Sequence, residues 1–179
     1  MTAVPDEFAS LLSLVNSFDI EANKEELPDV AACLAWFEAH GLWLDDSFGE
    51  QDVAAVHRFR EGVRVMWRAH NASGPLSANV YADINALLSG VSFHWSVDRA
   101  GVLIPAVSHR GYLAQLVTLL VSASGKPNWH RLKVCQNQLC EWAFYDQSRN
   151  QSHRWCSMTA CGSRQKARRY RERQRQRGE

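Results

Sequence analysis

The stretch Cys135-QNQL-Cys140-EWAFYDQSRNQSHRW-Cys156-SMTA-Cys161 decides how the C-terminal part of this chain folds. It holds two cysteine pairs, each with four residues between its members, and fifteen residues separate the pairs. Thiolates at this spacing favour tetrahedral Zn²⁺, which takes sulfur ligands at about 2.3 Å. Four sulfurs fill such a coordination sphere, so the pattern predicts one structural zinc ion rather than a catalytic one.

Two disulfides are the alternative use of these cysteines. The chain begins Met1-TAVPDEFASLL, without the basic start and apolar run of a secretory segment, and it has one further cysteine, Cys33. The longest apolar stretch, 113–121, is interrupted by Gln115 and Thr118, so no membrane span is expected. These features favour zinc and a reducing cytoplasm. Cys33 lies among apolar residues and predicts a buried core thiol.

Charge is divided unevenly along the chain. Residues 1–125 hold seven Lys/Arg against fifteen Asp/Glu, a net charge of −8. Residues 126–179 hold thirteen against four, a net charge of +9. Such sorting indicates two parts with different partners, the basic part facing a polyanion.

The hydrophobic pattern predicts a mainly helical α+β protein. Helical periodicity covers 6–18, 28–40, 52–70, 77–88 and 111–122, and strand-like alternation at 91–97 and 102–107 predicts one β-hairpin. Ser124-Gly-Lys-Pro127 is the clearest boundary. We therefore expect a helical N-terminal domain over 1–126, which senses a small molecule or a partner, and a zinc finger with a basic helix over 127–179.

The predicted finger has the layout of a treble clef. A strand at 129–134 runs into the first cysteine pair, 141–145 returns, 146–150 is turn material, and the second pair opens a helix. Trp142, Phe144 and Trp155 are predicted to form its small core. His130 and His153 lie outside the paired spacing, which favours positions away from the metal.

The final helix is rich in arginine. Arg164, Arg168, Arg171 and Arg175 follow a helical stripe, and arginine binds phosphate oxygens through its planar fork. The predicted nucleic-acid-binding residues are Arg149, Arg154, Arg164, Lys166, Arg168, Arg169, Arg171, Arg173, Arg175 and Arg177. Double-stranded DNA is the favoured partner, and Gln165, Gln174 and Gln176 are candidates for reading base edges.

Other interpretations of the basic part stay open. The helix could be a solvated tail, a binder of structured RNA, or a protein-interaction module whose acidic partner is the chain's own N-terminal domain. The acidic part shows no convincing catalytic set, so an enzyme is not expected. Asp45-Asp46 is predicted to be exposed loop charge, and His57 with Arg60-Glu61 to be helix-surface charge. Without a heptad pattern, the oligomeric state is open.

The cysteine-rich segment resembles the CGNR zinc-finger family. The matching elements are the two cysteine pairs, Phe144-x-Asp146-x-Ser148-Arg149-Asn150, Trp155-Cys-Ser157 and Lys166-Ala-Arg168. Ser163 stands where the family motif has asparagine, and a serine there still predicts a backbone hydrogen bond. The resemblance implies one zinc ion held by the four cysteines.

The N-terminal part is similar to the ABATE domain that usually precedes this finger. The similarity rests on Leu14-Val-Asn16, Leu27-PDVAACLA-Trp36, Ile84-NAL-Leu88 and Arg131-Leu-Lys133. That family is described as stress-responsive transcription regulators. The resemblance therefore implies regulation of transcription through DNA binding by the finger.

Overall fold

Helix α3 (Glu50–Ala72) lies at the centre of the fold because buried side chains recur along its whole length. Val56, Phe59, Val63 and Trp67 are all at most 1% exposed and follow helical spacing. The computed structural model describes residues 4–42, 47–72, 76–89, 91–107 and 111–177. The predicted charge at Asp45-Asp46 lies outside these residues.

The described residues confirm a mainly helical α+β protein. The other helices are α1 (Asp6–Asn16), α2 (Val30–Ala39), α4 (Ala78–Leu88), α5 (Tyr112–Ser124) and α6 (Ser163–Arg177). Three antiparallel pairs of strands complete it: β1 (Phe18–Asp19) with β2 (Lys24–Glu25), β3 (Phe93–Val97) with β4 (Leu103–Val107), and β5 (Leu132–Val134) with β6 (Ala143–Tyr145). A 3₁₀ turn, Trp129–Arg131, precedes β5, and a π-helical turn, Met158–Gly162, precedes α6.

Local chemistry explains where several elements begin and end. The Asp29 carboxylate accepts a hydrogen bond from the Ala32 amide at 2.9 Å and caps α2. Gly41, just after α2, has φ +67°, a conformation that glycine adopts without strain. The predicted hairpin turn forms as expected, with the Asp98 carboxylate accepting from the amides of Ala100 and Val102.

The hairpin β5–β6 shares a core with helices α1 and α3. Leu132, Val134 and Ala143 are buried in the same cluster as the helix side chains. Phe8 of α1 stacks on Tyr145, with ring centroids 5.8 Å apart, and Trp67 of α3 makes an edge contact with Trp129 at 5.8 Å. The cysteine-rich segment therefore starts from the packed interior of the helical part.

The small core predicted for the finger is only partly correct. Trp155 packs against the cysteine cluster, as expected. Trp142, by contrast, is 38% exposed. Side chains alternate along β6, and this alternation directs Ala143 and Tyr145 toward the helices instead.

Arg60 was predicted to be surface charge, and that prediction is wrong, since it is only 3% exposed. Its guanidinium forms two hydrogen bonds of 2.8 Å to the Glu25 carboxylate and one of 3.0 Å to the Ser17 hydroxyl. The two-point geometry suits arginine and a carboxylate. Arg60 therefore ties α3 to the short β1–β2 hairpin.

Arg64, one helical turn later, is 1% exposed and satisfies backbone carbonyls from three places. It donates to the carbonyls of Val15 at 2.5 Å, Phe18 at 3.1 Å and Glu141 at 2.8 Å. Buried carbonyl groups need such partners, because leaving them unpaired costs free energy. Arg64 thereby joins α1, the β1–β2 hairpin and the segment that follows Cys140.

Replacing Arg64 with leucine should destabilise the protein by about 3–5 kcal/mol, because it leaves the buried Val15 carbonyl and the part-buried carbonyls of Phe18 and Glu141 without this donor. Urea unfolding at neutral pH measures the change. Arg58→Leu is the matched control on the exposed side of α3, with an expected change within about 0.5 kcal/mol. Equal stability of the two variants would contradict the role given to Arg64.

Candidate metal centre and basic helix

The structure brings the four paired cysteines together. The sulfur atoms of Cys135, Cys140, Cys156 and Cys161 all lie within 4.8 Å of one another. The Cys140–Cys156 sulfur distance is 3.6 Å, the Cys156–Cys161 distance is 3.8 Å, and the thiols are free rather than bonded as disulfides. Four sulfurs about 2.3 Å from one tetrahedral ion lie about 3.8 Å apart. The cluster therefore has the dimensions of a zinc tetrathiolate.

The first knuckle is a tight turn between β5 and β6. The Cys135 amide donates to the Trp142 carbonyl at 2.9 Å, and the Cys140 amide donates to the Asn137 carbonyl at 2.8 Å. Glu141, directly after the second cysteine, has φ +47°, which turns the chain back toward β6. The turn directs both sulfurs to the same side.

The second knuckle is the beginning of the C-terminal helix. The Ser157 hydroxyl accepts from the Ala160 amide at 3.2 Å and caps the π-helical turn that carries Cys161. A Cβ atom on Gly162 would lie 3.2 Å from the Met158 sulfur and 3.3 Å from the Trp155 ring. A side chain at position 162 would therefore require Met158 or Trp155 to move by a few tenths of an ångström. Ser163 starts α6, and its hydroxyl donates to the Met158 carbonyl at 3.3 Å.

Asn137 supports the cluster and was not singled out from the sequence. Its side-chain amide donates to the Cys161 sulfur at 3.7 Å, and its oxygen accepts from the Leu139 amide at 3.3 Å. Burial acts to raise the pKa of Cys161, but the hydrogen bond from Asn137 helps to lower it overall. An asparagine inside a predicted turn was the signal available in the sequence.

The electrostatics of the cluster call for a cation. Burial, together with the neighbouring Cys135, raises the pKa of Cys140 to about 12, and burial also raises that of Cys156. Four thiolates this close together, three of them buried and that of Cys156 half-buried, repel one another unless a positive charge lies between them. The donor set therefore fits one Zn²⁺, and four sulfur ligands make the site structural.

The helical part holds both sides of the first knuckle through hydrogen bonds to strand backbones. Asn71 donates to the Val134 carbonyl, and His70 Nδ1 donates to the Leu132 carbonyl at 2.7 Å. Asn16 bonds Ala143 reciprocally, donating at 3.0 Å and accepting at 2.8 Å. The position of Cys135 and Cys140 is thus set by α1 and α3.

The loop between the cysteine pairs is organised by a buried ion pair. Lys133 Nζ lies 2.7 Å from an Asp146 oxygen, and the two side chains are 7% and 0% exposed. Asp146 also accepts from the Ser148 hydroxyl at 2.6 Å and from the His153 amide at 3.0 Å. Burial opposes ionisation of the Asp146 carboxyl, but the Lys133 and Ser148 hydrogen bonds hold its pKa below its usual range. The sequence predicted only turn material here.

The basic helix is exposed at all of its described residues except Gln165, which is half-buried. None of the fifteen described residues of α6 is buried. Arg168 pairs with Glu172 at 2.9 Å, and Arg164 pairs with Glu21 of the β1–β2 turn. Arg149 and Arg154 are exposed on the loop between the cysteine pairs. His130 and His153 are both exposed and lie outside the sulfur cluster.

Fold and site define a zinc-finger protein whose finger is packed onto a helical N-terminal part. Comparison with family models agrees: the CGNR zinc finger matches residues 131–174, and ABATE, described as "Putative stress-induced transcription regulator", matches residues 9–124. The chain belongs to the ABATE family and carries a CGNR zinc finger. No curated protein matches the chain significantly. Among the described residues, no helix has both the length and the apolar content needed to cross a membrane.

The protein should bind one zinc ion per chain, and Cys156→Ser should lose it to a chelator that wild type withstands, because three sulfurs leave the coordination incomplete. Metal analysis after dialysis against graded chelator measures this. Cys33→Ala is the control, since Cys33 is buried in the helical core and its pKa is raised to about 11 by burial. Zinc retention by Cys156→Ser would contradict the assignment.

Asp146→Asn should destabilise the zinc-loaded protein by about 3–5 kcal/mol, because it leaves the buried Lys133 charge unpaired. In wild type, the contribution of Asp146 to the free energy of unfolding is complete above the pKa of its carboxyl in the unfolded chain. This contribution is lost as the pH falls through the lower pKa of the carboxyl in the folded protein. Denaturant unfolding near neutral pH measures the loss. Asp6→Asn, an exposed change on α1, is the control, and equal effects would count against the buried pair.

Proposed function

We propose that this protein is a zinc-dependent, DNA-binding regulator of transcription whose helix α6 contacts the DNA. The observation that carries the proposal is an arginine helix that buries none of its described residues and continues directly from the second zinc knuckle. A hairpin knuckle followed by a knuckle at a helix start is the element order of a treble-clef finger. In this proposal the zinc is structural and the protein is not an enzyme.

The charge of α6 supports a polyanionic partner. Arginines four residues apart, such as Arg169 and Arg173 or Arg171 and Arg175, repel each other on an isolated helix. Glu172 is the one acidic residue within α6. Phosphates would relieve this repulsion, and their binding releases condensed counterions. Gln165, Gln174 and Gln176 supply amides able to read base edges.

The helical part is proposed to act as the sensor. A cavity of about 380 Å³ lies between α3 and the finger, and its wall includes Met66, His70, His130 and Lys133. His70 also donates a hydrogen bond to the carbonyl of Leu132, the residue directly before Lys133, and Lys133 forms the ion pair with Asp146. A small molecule bound here would contact both the central helix and the strand that leads to Cys135. A cytoplasmic location belongs to the same proposal, since the thiols are free.

Replacing Arg168, Arg171 and Arg175 together with glutamine should weaken binding to duplex DNA and reduce the slope of log affinity against log salt by about 3, one for each lost phosphate contact. Fluorescence anisotropy with zinc-loaded protein over a range of salt concentrations measures both. The matched control replaces Arg58, Arg99 and Lys126 with glutamine. These three residues are exposed, lie outside α6 and carry the same total charge as the three arginines.

Wild-type affinity in the triple α6 variant would overturn the proposal. Structured RNA that displaces duplex DNA at equal salt would favour an RNA-binding function instead. Selection of fragments from sheared genomic DNA then separates a regulator, which enriches a common sequence, from a non-specific binder.

A further inference from the structure

A groove of about 460 Å³ lies where three parts of the chain meet. One wall is the face of α6 with Arg164, Arg168 and Arg171. The opposite walls are the tip of the first zinc knuckle, which carries Leu139, and the β1–β2 turn, which carries Glu21. We call this space the basic groove.

The cationic wall of the groove is only partly neutralised. Arg164 forms its ion pair with Glu21, whose side chain is 45% exposed. Arg168 pairs with Glu172 of its own helix, and the Arg171 Nε donates to the Ala167 carbonyl at 3.3 Å. The Glu21 carboxylate therefore lies at the place where an outside anion would meet the first arginine of the stripe.

The other walls add apolar surface. Leu139 is 72% exposed at the tip of the knuckle, and Ile20 lies half-buried beside Glu21. A free inorganic anion has no apolar atoms that could contact this surface. A nucleotide of the nucleic-acid backbone offers a phosphate for the arginines and a sugar for the apolar side chains.

We infer that the basic groove binds the nucleic-acid backbone, and that a phosphate there takes the place of the Glu21 carboxylate on Arg164. This inference rests on the proposed function and extends its contact surface from α6 to the first knuckle and the N-terminal part. Exposed ion pairs contribute little to stability, so a phosphate displaces Glu21 at small cost. The arginine fork accepts either group, because carboxylate and phosphate oxygens suit the same two-point geometry.

The walls of the basic groove are held in place by contacts within the chain. Asn137, at the base of the knuckle, is bonded to both the Cys161 sulfur and the Leu139 amide, so the metal site fixes the wall that carries Leu139. The β1–β2 turn is held by the bond from the Ala22 amide to the Asp19 carboxylate at 2.9 Å. Its strand β2 is tied to α3 through Glu25 and Arg60.

The test compares single substitutions in zinc-loaded, full-length protein binding a fluorescent 20-base-pair DNA duplex. Glu21→Gln should raise affinity about three- to tenfold, because it removes the competing carboxylate. Its control is Glu38→Gln, the same charge change on the exposed side of α2. Leu139→Glu should lower affinity about tenfold or more. Leu103→Glu, the same change at an exposed leucine of the β3–β4 hairpin, should have less than a threefold effect.

A charge exchange separates the groove from α6 alone. Arg164→Glu should weaken binding, and adding Glu21→Arg should restore it to within about threefold of wild type, since the positive charge returns to the same groove from the other wall. Two results would contradict the inference while wild type still binds DNA. In the first, the exchanged variant binds as weakly as Arg164→Glu; in the second, Glu21→Gln and Leu139→Glu have the same effect as their controls. In either case the proposed function stands. Failure of wild type to bind any nucleic acid overturns both.

Discussion

Four clustered cysteine sulfurs that share one cation connect the two halves of this structure. Cys135 and Cys140 belong to a turn held by α1 and α3, whereas Cys161 lies at the start of α6. Helix α6 buries none of its described residues, so side-chain packing does not fix its direction. The metal does so instead, by joining the second knuckle to the first. Apparent binding energies of about 10–16 kcal/mol for zinc in finger peptides are large enough for this role.

The helical core contributes polar contacts as well as apolar burial. A short hairpin such as β5–β6 is at best marginally stable alone, and here it lies on α3 with its carbonyls bonded to Asn71, His70 and Arg64. Each bond satisfies a backbone group that packing has removed from water. The same contacts fix the position of the first knuckle relative to α3.

The sequence was most informative where local pattern decides structure. Cysteine spacing located the metal cluster, periodicity located the helices to within about two residues, and Asp98 with Gly101 located the hairpin turn. It was least informative about buried charge. Arg60, Arg64 and Asp146 look like surface residues because charged side chains are rarely buried unless paired, and their partners lie distant in the sequence. The outward position of Trp142 likewise depended on which side of β6 meets the helices.

The division of charge has a consequence for how the molecule meets a polyanion. In the proposed function, phosphate repels the acidic N-terminal part and attracts the basic part, so the electrostatic field orients the protein with α6 toward the polyanion. At physiological salt the electrostatic fields of the acidic and the basic part extend over about 8–10 Å. This distance is shorter than α6, which has fifteen residues with a rise of about 1.5 Å each. Acidic residues distant from α6 therefore influence approach more than the bound state. Glu21 differs because it touches Arg164 directly, and it is the point at which attraction within the chain competes with attraction to a target.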